Sequence, residues 1–151
     1  MTPPADGRSD RQPLKDILAG SHLGVLATLK RDGRPQLSDV SYQFDTAPGT
    51  IRVSITEGRA KTANLRRDPR ASLHVRPRSN GGYAVAEGIA QLSRTAADPM
   101  DVTVESLVDL YRAIAGEHPD WDEYREAMVA ERRIVLTILV DNIYGWNPQV
   151  G

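Results

Sequence analysis

The 151-residue sequence predicts a mainly β (α+β) domain in which six antiparallel strands close into a small barrel with helices attached. Three observations carry that prediction. "HLGVLATL" and "QLSDVSYQF" are strand-like runs joined by "KRDGRP", whose Asp-Gly step is a hairpin turn. "TIRVSI" alternates Ile51, Val53 and Ile55 with Arg52 and Ser54, the period of a strand with one buried face. Helical spacing takes over only after Arg94, and a long β-rich run, "RIVLTILVDNIYGW", closes the sequence.

Taken in order, residues 1–11 ("MTPPADGRSDR") are too polar to pack and read as a disordered leader, leaving 12–151 as one domain. A short helix over Leu14 to Ala19 ends at Gly20, and the hairpin and the alternating strand follow. Gly58 breaks that strand. The next ten residues are good helix formers, and Asp68-Pro69 stops them because a residue before proline is disfavoured in the helical region. "ASLHV" and "YAVAEGIAQL" read as two more strands joined by the turn-rich "RPRSNGG", with a bulge at Gly88. Val104, Leu107, Val108, Tyr111 and Ile114 follow helical spacing up to Gly116. Asp120, with Glu123 three positions on, starts a second helix that carries Trp121, Tyr124 and Met128. Ser54, by the strand alternation, faces away from the core.

Composition narrows the function classes. Hydrophobic residues make up 40% and charged residues 26%, and the formal net charge is −1, which argues against a protein that coats nucleic acid. Two Trp, five Tyr and one Phe are too few for a base-stacking platform. There is no cysteine, so disulfides, thiolate nucleophiles, Fe–S clusters and Cys-based zinc sites are excluded. The sequence has neither the apolar core of a signal peptide nor an apolar run long enough to span a bilayer, so a soluble, cytoplasmic protein is expected.

"EGRAKTANLRRDPR" holds five of the 19 Lys and Arg residues. Arg59 and Lys61 fall at the entrance of the short helix, where unpaired N–H groups and the helix dipole already favour an anion. Two cations there add charge-assisted hydrogen bonds to a phosphate or carboxylate. The alternative is a solvated basic surface, the common fate of charge runs, and the residues alone leave both readings open. Arg66, Arg67 and Arg70 lie further along and read as surface or interface charges. His22, His74 and His118 show no metal-ligand spacing and read as structural, with His118 solvated before Pro119 and His74 facing either core or site. A nucleophile elbow, a Walker loop and a G-x-G-x-x-G loop are all missing. So few reactive side chains beside an anion site point to borrowed cofactor chemistry.

Four stretches, "GVLATLKRDGRPQLSDVSYQFD", "VSITEGRAKTANLRRDPRASLHV", "YAVAEGIAQL" and "YRAIAGEHPDWDEYREAMVAERRIVLTI", resemble the pyridoxamine 5'-phosphate oxidase-like split-barrel family over residues 14 to 147. The likeness is to its actinobacterial branch, which uses the deazaflavin coenzyme F420, and R-A-K-T-x-N-L-R-R-D-P-R is its most specific part. The resemblance implies an FMN-binding split-barrel type of fold and a homodimer with the cofactor between subunits. It further implies that Arg59, Ala60 and Lys61 hold the cofactor's phosphate or acidic tail. Gln36, Ser38, Asp39, Ser54 and Ile55 are expected to line the ring, with Tyr83 in the same pocket. Relatives in that branch tend to carry an aromatic residue where this chain has Gly81, and Asn where it has Asp39.

The activity so implied is transfer of hydride from reduced F420 to an electron-poor small molecule such as an enone, quinone or tetrapyrrole. Tyr83, Tyr42 and solvent are the candidate proton donors, and no catalytic side chain is assigned. An FMN-dependent relative is the alternative enzyme. A non-enzymatic cofactor- or haem-binding protein is the alternative outside catalysis, and no metal, nucleic-acid or membrane partner is expected.

Overall fold

The computed structural model describes residues 11–78 and 81–148. The expected leader lies outside the described residues except for Arg11, as do Ser79 and Asn80 of the "RPRSNGG" connection. The elements are α1 (Gln12–Ala19), β1 (Leu23–Leu29), β2 (Pro35–Asp45), β3 (Thr50–Thr56), α2 (Ala60–Arg67), β4 (Arg70–Val75), β5 (Tyr83–Leu92), α3 (Val102–Ala115), α4 (Trp121–Ala130) and β6 (Arg133–Trp146). All strand pairs are antiparallel, and the order β1-β2-β3-β6-β5-β4 closes because β4 pairs back onto β1. This is the six-stranded antiparallel split barrel with flanking helices that the sequence predicts.

Two helices start earlier than their apolar spacing suggests. Pro13 occupies the first turn of α1, where its missing N–H costs nothing, so the helix begins at Gln12. Asp101 caps α3 by accepting from the Val104 N–H at 2.8 Å, which brings Val102 and Thr103 into the helix. Asp120 caps α4 in the same way through the Glu123 N–H.

Inward residues of the strands, among them Leu26, Tyr42, Ile51, Val53, Ile55, Leu73, Ile134, Leu136 and Ile138, form the barrel core. Ile17 and Leu18 of α1 and Leu65 of α2 join that cluster, so both helices are held by burial more than by their short length. Tyr42 is fully buried, and its hydroxyl donates to the Leu18 carbonyl at 2.6 Å, tying α1 to β2. A second cluster forms outside the barrel, where Val104, Leu107 and Val108 of α3 and Tyr124 and Met128 of α4 pack on Val135 of β6. Gly88 sits at a register shift between β5 and β6, as the sequence suggests. A Cβ there would collide with the Leu139 carbonyl, so the crossing requires glycine. Among the described residues, no helix is long and apolar enough to cross a membrane.

The barrel is incomplete on one side. β2 and β3 pair only from Tyr42↔Val53 to Asp45↔Thr50. Beyond that point β2 follows β1 to Pro35, while β3 follows β6 to Thr56. The two strands therefore part, and their facing edges leave an opening.

Candidate functional site

A cavity of about 580 Å³ occupies that opening. Asp39, Val40 and Ser41 line it from β2, and Ser54, Ile55 and Thr56 line it from β3. Arg59 and Lys61 stand at the start of α2, and Arg133 at the start of β6. The wall opposite the strands is apolar, built from Leu110, Tyr111 and Ile114 of α3 and Tyr124 and Met128 of α4. One end of the cavity is thus cationic and one side is greasy, which suits a flat ring carrying an anionic tail.

The cationic end is held by short-range bonds that explain its position. The Thr62 hydroxyl donates to the Thr56 carbonyl at 2.8 Å, pinning the first turn of α2 to the end of β3. The Glu57 N–H donates to the Arg132 carbonyl at 3.0 Å, which joins the same end to the turn before β6. Arg132 adopts φ 54, and that left-handed residue ends the α4 connection so that β6 starts at Arg133. Further along α2, the buried Asn64 amide donates to the Thr28 hydroxyl at 3.1 Å and to Gln36 Oε1 at 2.8 Å. Arg67 donates to the Leu29 carbonyl and to Asn64 Oδ1. The helix is therefore locked to the β1–β2 hairpin as well as to β3.

Pairing separates the five cations of the basic run into two groups. Arg66 bridges Glu57 at 2.6 Å, Arg67 is engaged as above, and Arg70 bridges Asp68 at 2.8 Å. The side chains of Arg59 and Lys61 have no hydrogen-bond or ion-pair partner among the described residues, although the Arg59 carbonyl accepts the Ala63 N–H at 3.1 Å. Glu57, the nearest acidic candidate in the chain, is already taken: its bond from Arg66 holds its carboxyl below the ordinary value, with a further bond from Thr95. Burial, then the charge of Arg59, then that of Arg133 push the Lys61 ammonium below its ordinary value. A lysine destabilised by neighbouring cations is short of negative charge.

Of the residues expected at the site, the cavity brings together Asp39, Ser54, Ile55, Arg59 and Lys61. Ser54 is half-buried on the face away from the core, as its alternation predicts. Ala60 lies exposed between the two cations at the first position of α2. Gln36 and Ser38 point to the other face of β2 from Asp39, and Gln36 is bound by Asn64. Tyr83 is on the outer face of β5, stacked on His74 with centroids 5.7 Å apart, and does not line the cavity within one chain. Gly81 adopts φ 74, a backbone demand that accounts for glycine there.

Two expectations need correction. Tyr42 is no proton donor, because its hydroxyl is buried and bound to Leu18, and desolvation pushes it far above the ordinary tyrosine value. His118 is not solvated: it is half-buried against Tyr111, Trp121 and Tyr124, and its Nδ1 accepts from the Asp120 N–H. Residues that sequence reasoning missed include Arg133, Tyr111 and Met128. The "ERR" step before the last strand was a signal for the first, but only the β3–β6 register shows that it meets Thr56. Tyr124, although in the lining, donates its hydroxyl to the Leu107 carbonyl at 3.0 Å. Among the described residues, no group of three or more His, Asp or Glu side chains converges on a point.

Comparison with known proteins agrees with this fold. A family model described as pyridoxamine 5'-phosphate oxidase matches residues 11–147. Similar solved structures include a conserved hypothetical protein from Mycobacterium tuberculosis, at TM-score 0.70 and 22% identity over 97% of this chain and 90% of that one. An F420 reductase superposes at TM-score 0.60 and 21% identity, over 86% of this chain and 94% of its own. A haem-binding protein from Mycobacterium smegmatis superposes at TM-score 0.66 and 18% identity over 97% of this chain, which spans 55% of that protein. At these identities the likenesses establish the shared fold.

Proposed function

The chain belongs to the pyridoxamine 5'-phosphate oxidase family, and from that premise we propose that it is an oxidoreductase that uses reduced F420 to reduce an electron-poor organic acceptor. The observation that carries this reading is the pair Arg59 and Lys61, two cations without partners among the described residues, at the end of a cavity between parted strands. When bound, the deazaflavin supplies a hydride from its C5 to the acceptor. The residues of this chain bind, orient and shield. Arg59 and Lys61 hold the anionic tail through charge-assisted hydrogen bonds. Ser54, Asp39 and Ser41 present polar groups to the rim of the ring, and Leu110, Tyr111, Ile114 and Met128 keep its other side dry.

Proton supply to the reduced acceptor would come from solvent or from Tyr111, whose hydroxyl has no hydrogen-bond partner among the described residues. Tyr42 is excluded by its burial. FMN is the second reading, since its phosphate offers the same cations a tail of about −1.5 to −2 charges at neutral pH. The haem version of a binding protein gains nothing from the cavity lining, which includes none of the three histidines.

The same proposal includes a cytoplasmic homodimer. The homodimer is supported by large apolar residues exposed on the outer faces of β1, β2 and β6: Leu23, Leu37, Tyr144 and Trp146 are 63%, 65%, 47% and 59% exposed. Tyr83 pairs with Trp146 in the β5–β6 register, so a second chain packed over these two residues would bring ring residues that one chain keeps outside its own cavity. The test is turnover. Purified protein is mixed with reduced F420 and a panel of enones and quinones, and oxidation is followed by the ring's absorbance. Consumption of both reactants supports the reductase, whereas tight binding without consumption supports a cofactor-binding protein.

A further inference from the structure

The helix wall of the cavity is apolar except for two hydroxyls, and only one of them is spent. Leu110 and Ile114 of α3 and Met128 of α4 carry none. Tyr124 donates to the Leu107 carbonyl at 3.0 Å, which takes its proton out of play. Tyr111 lines the same cavity with a hydroxyl that has no hydrogen-bond partner among the described residues. Its ring, by contrast, is held by three others: the centroids of His118, Trp121 and Tyr124 stand 5.2, 5.6 and 5.1 Å away. Trp121 is fixed in turn, since its indole N–H donates to Glu117 at 2.8 Å and the Arg112 guanidinium lies 4.8 Å from its ring centre. His118 is held as well, its Nδ1 accepting the Asp120 N–H at 2.9 Å. A half-buried phenol with a clamped ring and an idle hydroxyl needs little reorganisation when an acceptor oxygen arrives.

Resting on the hydride-transfer reading above, we propose that the Tyr111 hydroxyl donates a hydrogen bond to the carbonyl oxygen of the acceptor. The acceptor is then a flat molecule, apolar and uncharged where it meets α3 and α4, with that carbonyl conjugated to the carbon being reduced: a quinone or an enone. The apolar side chains take up the body of such a molecule and keep water from the face where hydride moves. In the step itself, a C–H bond forms at the conjugated carbon of the acceptor as the C5–H bond of the reduced ring breaks. The π pair of the acceptor moves onto its oxygen, which gains negative charge, and the bond from Tyr111 strengthens with it. The acceptor, reduced by two electrons, then takes a proton from water, matching the one released to water from the oxidised ring. Tyr111 keeps its own proton throughout. A substrate without the conjugated oxygen leaves the phenol unpaired and loses this stabilisation.

The test uses menadione and 2-methylnaphthalene, which share a ring system and differ by two carbonyls. The chain has no cysteine for the quinone to alkylate. Ligand-observed NMR titration of protein loaded with oxidised F420, which cannot reduce either probe, should show menadione bound more tightly. Tyr111→Phe keeps the clamped ring and should cut that preference roughly three- to tenfold, the range for one neutral hydrogen bond, at an unchanged melting temperature. With reduced F420 and menadione, the same variant should lose roughly tenfold or more in kcat, because the bond is strongest as the oxygen gains charge, while its affinity for F420 stays that of wild type. Equal binding of the two probes by wild type, a carbonyl preference that survives Tyr111→Phe, or an unchanged kcat would each overturn the role of Tyr111. The cofactor reading fails on a different result. If wild type does not bind F420, that reading and the hydride step fall together, whereas if wild type binds F420 and reduces menadione and Tyr111→Phe matches it, the reading stands and only Tyr111 is removed.

Discussion

Thr56, the last residue of β3, is paired in register with Arg133, the first of β6, and its carbonyl accepts the Thr62 hydroxyl of α2. That one pairing joins three elements and gathers Arg59, Lys61 and Arg133 around the mouth of the split. The cations are close because backbone bonds hold them there, against a repulsion that adds to burial in lowering the Lys61 ammonium. On the proposed function, this corner is organised for an anion before the anion arrives.

Replacing both Arg59 and Lys61 by Ala should weaken binding of a tailed ring on the order of 100-fold, from two lost charge-assisted bonds. The melting temperature should barely change, since neither side chain has a protein partner to lose. Titration and thermal denaturation of the same sample check both halves.

Lys61 also predicts a pH dependence. Its ammonium is the binding form, and its value in the free protein is lowered by burial and by Arg59 and Arg133. Affinity for a tailed ring should therefore fall as pH rises into the window between that lowered value and the ordinary lysine value near 10.4. Binding within that window should take up a proton. Lys61→Arg, which stays charged, should flatten the fall, and isothermal titration in buffers of different ionisation heat would detect the proton directly.

Asn64→Ala should destabilise the fold by about 1–3 kcal/mol, because it leaves the buried Thr28 hydroxyl and Gln36 without their donor. It should also weaken tailed-ring binding, as α2 keeps only the Arg67–Leu29 bond of its polar attachment to the hairpin. Urea unfolding and titration report the two effects.

The sequence made the elements legible where each has a local cause: the Asp-Gly turn, the alternation of β3 and the Asp120 cap; the Asp101 cap of α3 went unread. The candidate anion site was half legible for the same reason, since Arg59 and Lys61 are two residues apart. Arg133 was not, because it reaches them only through the β3–β6 register, a pairing between segments far apart in the chain. Tyr42 read as a free phenol because nothing local reveals that its hydroxyl meets Leu18 across the core. The apolar wall was hidden too: helical spacing identifies an apolar face, but not that Leu110 and Ile114 turn part of it to a cavity.

Tyr42→Phe separates structure from chemistry. It leaves the buried Leu18 carbonyl without its donor and should cost about 1–3 kcal/mol of stability. The turnover rate at a temperature where the variant is folded should match wild type, because the phenol is far from solvent and bound to backbone. A large fall in rate with unchanged cofactor affinity would restore Tyr42 as a proton donor.

Asp101 gives a stability prediction with a sign. Burial alone would raise its carboxyl, but backbone N–H groups of Ala97, Val104 and Asp98 outweigh that and hold it below the ordinary value. A carboxylate with a lowered folded-state value contributes stability above its ordinary value near 3.9, and loses it as pH falls through the lowered one. Asp101→Ala should cost about 1 kcal/mol at neutral pH. The gap between variant and wild type should close in acid, as read from urea unfolding at several pH values.

Fluorescence titration of the wild-type protein with F420 and with FMN, each beside its tail-less ring, tests the central claim most directly. Binding of a tailed ring that exceeds its tail-less counterpart, and that salt weakens, is the predicted result. Failure to bind either tailed ring, or binding that ignores the tail, would contradict the assignment of the β2–β3 opening as a site for an anion-tailed ring.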